Sequence, residues 1–348
     1  MIMNVKGMRS MERNAFFDNA KVFLIFLVVF GHMIQPFTDG SREMSSFYLW
    51  IYTFHMPAFI FLAGFFAKGS GNKKYILNLA KKLLVPYVIF QVLYTVYYFF
   101  IGKEGWQTGV FYPHWSLWFL FSLFSWHILL YWFKKIPAVL SVITAISIGL
   151  AVGYFGEIGH TFSLSRTFVF FPFFLLGYWL TQNHVMWIKH KSAKIASIAI
   201  MATVAVAIYI APDFNSGWLL ASKSYSDLGQ PEFGLFARLL VYLMSAIMAI
   251  SVLAWIPKAH NKFTKLGTRT LYVYLLHGFF IQFFRQAGLF EINNILDLVG
   301  LAAISATIVL VLSSKPIQVV SQPIIEGNIS KLKRLFSRRE NKDHHHHA

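Results

Sequence analysis

The chain has 348 residues, 57% hydrophobic and only 13% charged, with a formal net charge of +17 and no cysteine. An ordinary soluble domain carries roughly 25% charged residues, so this is the composition of a membrane protein. The lack of cysteine excludes disulfides, thiolate metal sites and a cysteine nucleophile.

A bilayer core about 30 Å thick needs about 20 apolar residues per helical span. Predominantly apolar windows of about that length fall at 17–36, 47–67, 79–101, 113–133, 136–155, 166–181, 193–211, 232–255, 270–287 and 296–320. The expected fold class is therefore an all-α polytopic membrane protein with about ten transmembrane helices in one bundle, since a helix satisfies its own backbone in lipid. Residues 1–12 read as an N-terminal tail, 13–330 as the membrane domain, and 331–348 as a basic tail ending in a truncated histidine tag. The first span reads as permanent, being too long for a cleavable signal and lacking a small-residue cleavage site.

With residue 1 in the cytoplasm, the inward segments collect Lys6, Arg9 and Arg13, then Lys68, Lys73, Lys74, Lys81 and Lys82, and further clusters at 134–135, 189–194 and 258–269. The outward loops hold only Arg42, Lys103 and Lys223. The positive-inside rule then places both termini in the cytoplasm of a cell-membrane protein. The basic excess is a topology signal that also attracts anionic lipid, and no nucleic-acid partner is expected.

Ionisable residues inside a span cost roughly 2.5–3.5 kcal/mol on insertion scales and usually face the bundle interior. In "FFDNAKVFLIFLVVFGH", Lys21 and His32 are eleven residues apart, close to three helical turns and about 16 Å of rise, so they share a face. Asp18 lies on that face and can pair with Lys21. His55 in the returning second span falls at a depth similar to His32. Each histidine can be a buried hydrogen-bonding group or a functional one. Arg166, Arg238 and Arg285 lie near the same level, where function competes with snorkelling to lipid phosphate. His277 fits either a structural or a cavity position, and His127 reads as structural. Tryptophan and tyrosine at span ends, including Trp106, read as interface anchors. "YPHWSLWF" is denser than anchoring requires and makes Trp115 and Trp118 candidates for lining an outward cavity. The histidines lack the partners or spacing of a metal site, and no serine-hydrolase elbow or P-loop appears.

"AKVFLIFLVVFGH", "YTFHMPAFIFLAGFF", "PHWSLWFLFSL", "LSRTFVFFPFFLLGYWL" and "LGTRTLYVYLLHG", in this order, resemble the acyltransferase-3 family of membrane acyltransferases, most of all its fucose 4-O-acetylase-like branch. The resemblance implies transfer of an acyl group, usually acetyl from cytosolic acetyl-CoA, to a hydroxyl of an outward-facing carbohydrate or glycolipid. It places the family histidine on His32 and its basic partner on Lys21, with Lys81 and Lys82 where relatives carry an arginine-rich loop. Lysine at these positions keeps the charge without the bidentate fork. Ala63 stands where relatives often have serine.

On this reading the donor's anionic end meets Lys21, Lys81 and Lys82, with Asp18 beside them. His32 acts as general base or transient acyl acceptor, and His55 or Arg166 stabilises the oxyanion. Trp115, Trp118, Arg238, His277 and Arg285 line the acceptor cavity. No metal is required, and self-association is left open. The competing reading is a proton-coupled transporter or flippase using the same intramembrane groups, which predicts internal repeats that the sequence lacks.

Overall fold

The computed structural model describes residues 14–69, 73–104, 109, 111–156, 163–211 and 214–326. The cations Lys6, Arg9 and Arg13, the anchor Trp106, the tail beyond 326 and the side chain of Lys73 lie outside the described residues.

Thirteen α-helices make up this region, with no strand among the described residues. They are α1 (Ala15–Ile34), α2 (Arg42–Phe65), α3 (Lys73–Phe100), α4 (Trp118–Phe133), α5 (Ala138–Val152), α6 (Leu164–Trp179) and α7 (Gln182–Trp187). The remainder are α8 (Lys191–Ile210), α9 (Gly217–Leu220), α10 (Gly234–Leu253), α11 (Thr270–Ala287), α12 (Ile295–Leu312) and α13 (Lys315–Ile325). Six of them, α1, α2, α3, α8, α10 and α12, are long and apolar enough to cross a membrane, and α4, α5 and α6 are apolar but shorter. The protein is an all-α polytopic membrane protein.

Two expected spans change shape. The window 113–133 becomes helical only at Trp118, because Pro113 and the turn after it, with Trp115 at φ +31°, set the chain outside helical geometry. The window 296–320 divides after Leu312: Pro316 has no N–H to continue a helix, so α13 restarts with Pro316 in its first turn. Arg269 Nη1 donates to the Ser313 carbonyl at 2.7 Å, satisfying an acceptor freed by the break.

The tightest crossing joins α2 to α6, and glycine makes it possible. A Cβ on Gly64 would lie 1.9 Å from the Phe174 carbonyl oxygen, and one on Gly177 would lie 1.9 Å from that of Phe61. Each helix therefore lays its backbone against the other's glycine, as small residues allow in membranes. Gly177→Ala is expected to cost about 3 kcal/mol through overpacking against backbone that cannot yield. The check is the thermal midpoint in detergent, with Gly40→Ala, which meets nothing within 4 Å, as the control that should not shift.

At the α1 N-terminus, Asn19 binds the segment between α10 and α11. Its Nδ2 donates to the carbonyls of Pro257 (2.9 Å) and Ala259 (3.0 Å), and its Oδ1 accepts from Thr264 Oγ1 (2.7 Å) and Asn261 Nδ2 (3.3 Å). Lys189 reaches the same end. Its Nζ donates to the carbonyls of Leu253 (2.7 Å), Ala254 (3.0 Å) and Ile256, closing α10, and lies 4.6 Å from the Phe16 ring centroid. Lys68 Nζ closes α6 through the Leu180 carbonyl at 2.6 Å. These contacts gather Lys21, Lys68, Lys189 and the 257–269 segment at one end of the bundle, the basic end.

Burial, with Lys194 and Lys258 nearby, pushes the Lys189 ammonium down to about 7, against about 10.4 in an unfolded chain. Between those values the folded protein binds fewer protons than the unfolded chain, so this group makes stability rise as pH climbs from about 7 toward 10. Lys189→Met is expected to flatten that rise in thermal midpoints recorded across the same range. An unchanged slope would contradict it.

Candidate active site

Helical geometry puts Lys21, Ile25, Val28 and His32 on one face of α1. The last three line a narrow cavity of about 160 Å³, whose other walls come from Met56 and Phe59 of α2, Leu83 of α3, Leu123 of α4 and Leu271 and Tyr274 of α11. Its lining is almost wholly apolar. Leu271 and Thr270 mark the side toward the basic end, and His32, Ser116 and Trp118 provide the polar and aromatic part.

His32 sits in the last turn of α1, packed by aromatic rings. Its ring centroid is 4.1 Å from that of Trp115 and 5.7 Å from that of His277, and the Tyr52 hydroxyl lies 3.4 Å from its Nδ1. Arg285 holds the backbone rather than the ring: its Nη2 donates to the His32 carbonyl and to Gln35 Oε1 (2.9 Å). A cation there also suits the negative end of the α1 dipole. The same guanidinium lies 5.3 Å from the Trp115 ring centroid.

Trp115 is held between these groups by a turn whose backbone is tied down elsewhere. Tyr274 Oη donates to the Ser116 carbonyl, and Gln91 Oε1 accepts the His114 N–H at 2.9 Å. Its left-handed φ of +31° is uncommon for a bulky residue, and it puts the indole against both histidines.

Hydrogen-bond partners fix the tautomers of two neighbours. A carbonyl only accepts, so His277 Nδ1, which meets the carbonyls of Tyr274 (2.7 Å) and Val273 (3.1 Å), carries the proton. By the same logic His55 is protonated at Nδ1, against the Ile51 carbonyl at 3.0 Å. The Nε2 of His277 is buried without a hydrogen-bond partner among the described residues. His55 packs its ring 4.3 Å from that of Tyr52.

Arg166 occupies the first turn of α6, with Nε on the Leu220 carbonyl (3.1 Å) and its guanidinium 5.0 Å from the Trp118 ring centroid. It lies within electrostatic reach of His32, Tyr52 and Tyr274.

The structure thus brings together His32, His55, His277, Trp115, Trp118, Arg166 and Arg285, and separates the remaining candidates. Lys21 is at the basic end in an ion pair with Asp18 (2.7 Å). Lys81 and Lys82 are exposed on α3, and the cavity wall begins at the next residue, Leu83. Arg238 is buried in another cluster, donating to the Trp218 carbonyl with Tyr225 and Tyr242 beside it. Tyr52, Tyr274, Ser116 and Gln35 were not singled out from the sequence. For Tyr52 and Tyr274 a signal existed: each precedes a span histidine by three residues and so shares its helix face.

The acyltransferase-3 family model, described as an acyltransferase domain, matches residues 14–314. Among curated relatives, the nodulation protein NolL of Mesorhizobium japonicum is 23% identical over 321 residues, covering 82% of this chain and 81% of its own length. NolL of Sinorhizobium fredii is 37% identical over 62 residues, 17% of each chain. No solved structure matches. With every polar and cavity-lining residue just described falling inside a match that spans nearly the whole bundle, the chain belongs to the acyltransferase-3 family and is a membrane acyltransferase.

Proposed function

We propose that the protein moves an acyl group, acetyl in the first instance, from cytosolic acyl-CoA to a hydroxyl of a carbohydrate or glycolipid on the outer side of the cell membrane. The basic end faces the cytoplasm, with both termini on that side, in keeping with the positive-inside rule. The observation that carries this reading is the α1 face on which Lys21, Ile25, Val28 and His32 follow one another, the last three lining the narrow cavity. A donor with an anionic nucleotide and a thin apolar arm fits that sequence of surfaces, charge first and cavity second.

The acceptor hydroxyl attacks the thioester carbonyl carbon while its proton passes to His32. The carbon–sulfur bond then breaks and the thiolate takes the proton. In this scheme Nδ1–H of His32 donates to the Tyr52 hydroxyl oxygen, which leaves Nε2 unprotonated as the base. The oxyanion needs a donor, and here the tautomers discriminate. His55 has its proton on Nδ1, so its Nε2 donates only as an imidazolium. Arg166 keeps its Nη groups after spending Nε on Leu220, and it takes this role. His277, with Nδ1 fixed, presents a second acceptor nitrogen beside His32.

The test is transfer by the purified protein in detergent, using acetyl-CoA labelled in the acetyl group and a panel of glycans. Label is expected in the carbohydrate, released as acetate by mild base. A monodisperse protein that binds no acetyl-CoA would overturn the donor assignment.

A further inference from the structure

At the end of the site remote from Lys21, polar side chains from several elements meet in the interior. Lys103, just beyond α3, donates from Nζ to Gln282 Oε1 on α11 (3.0 Å) and lies 4.5 Å from the Tyr98 ring centroid. Arg285 follows one helical turn after Gln282 and is bound to the His32 carbonyl and Gln35. Lys103 and Arg285 are close enough that burial and the arginine's charge together lower the lysine ammonium from its ordinary value.

Donors are left over in this cluster. Arg285 Nε, Gln282 Nε2 and the Tyr98 hydroxyl are buried without a hydrogen-bond partner among the described residues. Gln282 and Tyr98 are only 3% and 2% exposed. A buried polar group left unmade costs about 1–3 kcal/mol, so three together mark a place arranged for something that accepts. Charge points the same way. Neither Lys103 nor Arg285 forms an ion pair with a carboxylate among the described residues, where the pair found is Lys21 with Asp18. Two cations in a partly buried cluster are completed by an incoming anion, which also satisfies the spare donors.

We infer that this cluster forms a pocket for an oxyanion of the acceptor, a carboxylate or a phosphate, held by Lys103, Gln282 and Arg285, so that the acceptor is an acidic sugar or a sugar on a phosphate-bearing carrier. The inference rests on the proposed function in one respect: the acceptor enters from the face opposite Lys21. Anchoring an anion beside Arg285 fixes the acceptor within a helical turn of His32, and a hydroxyl near the charged group is then the one presented to the base.

The test is calorimetric titration of the full chain in detergent with methyl glucuronide, glucose 1-phosphate and the neutral methyl glucoside. At least one anionic probe is expected to bind tenfold or more tightly than the glucoside, and Lys103→Met should reduce that advantage below twofold. Gln282→Glu, which sets a carboxylate against Lys103 in the anion's place, should do the same and serves alone if Lys103→Met does not fold. An advantage confined to the glucuronide assigns the pocket to a sugar carboxylate, and one confined to glucose 1-phosphate assigns it to a phosphate-linked carrier. Equal binding of all three probes, or an advantage that survives in the folded variants, overturns the inference. Acetyl-CoA titrated into the same wild-type samples reads the donor assignment separately, so its failure is distinguishable from failure of the anion pocket.

Discussion

His32→Ala is expected to lower acyl transfer by about 10³-fold, the middle of the range for losing a positioned general base, while acetyl-CoA still binds. The separation of the two effects follows from how the residue is held. Arg285 grips the His32 carbonyl, not its ring, so an alanine keeps the bond that joins α1 to α11. The imidazole's own contacts are with Trp115, His277 and Tyr52, and their loss opens a small space at the end of the cavity while the backbone bond between α1 and α11 remains. Single-turnover transfer of labelled acetyl, beside a binding isotherm, measures both quantities. Unchanged transfer by a variant of normal abundance would remove His32 from the chemistry. The same samples, quenched in acid with acceptor omitted, separate the two histidine mechanisms: label retained on wild-type protein and absent from the variant indicates an acyl-imidazole, and label on neither indicates a base.

The sequence exposed the parts of this site that depend on depth and helical period. Lys21 and His32 share a face because eleven residues make close to three turns, and span depth predicts His55 at a matched level on an antiparallel neighbour; both rings stand near Tyr52. The assignment of α1, α2, α6 and α11 to the site's neighbourhood needed no more than apolar length and the position of ionisable groups. What period and depth do not carry is rotation about a helix axis relative to helices distant in sequence. Arg238 and Arg285 looked alike, each a cation near one end of a span, yet one is buried against Trp218 and the other reaches the end of α1. Only the packing of α10 and α11 distinguishes them. Sequence marks Lys103 solely as a topology residue, since its partner Gln282 is 179 positions away. The positive φ of Trp115 was equally hidden, because no glycine or asparagine marks that turn.

Filling the cavity is expected to have an effect as large as removing the base. Val28 lies on the α1 face between Lys21 and His32, lines the cavity and is 7% exposed. Val28→Trp places an indole where the donor arm is proposed to pass. The larger ring can extend into the cavity that Val28 lines, so the cost to folding should stay near the lower end of the 1–3 kcal/mol typical of overpacking. Catalysis has no such margin. Proper placement of reactants is worth about 7–11 kcal/mol in favourable cases, and a thioester stopped short of His32 loses most of it. Transfer should therefore fall by about 10³-fold or more, with acetyl-CoA affinity reduced in parallel. His32→Ala differs in keeping that affinity. Phe23→Trp, at a more exposed site on the same helix, controls for the added ring and should transfer normally. The opposite substitution, Val28→Ala, widens the cavity and should raise the rate with longer acyl donors relative to acetyl. If Val28→Trp folds and transfers acetyl at the wild-type rate, the donor reaches His32 by another route, and the α1 face loses its assignment as the path of the arm.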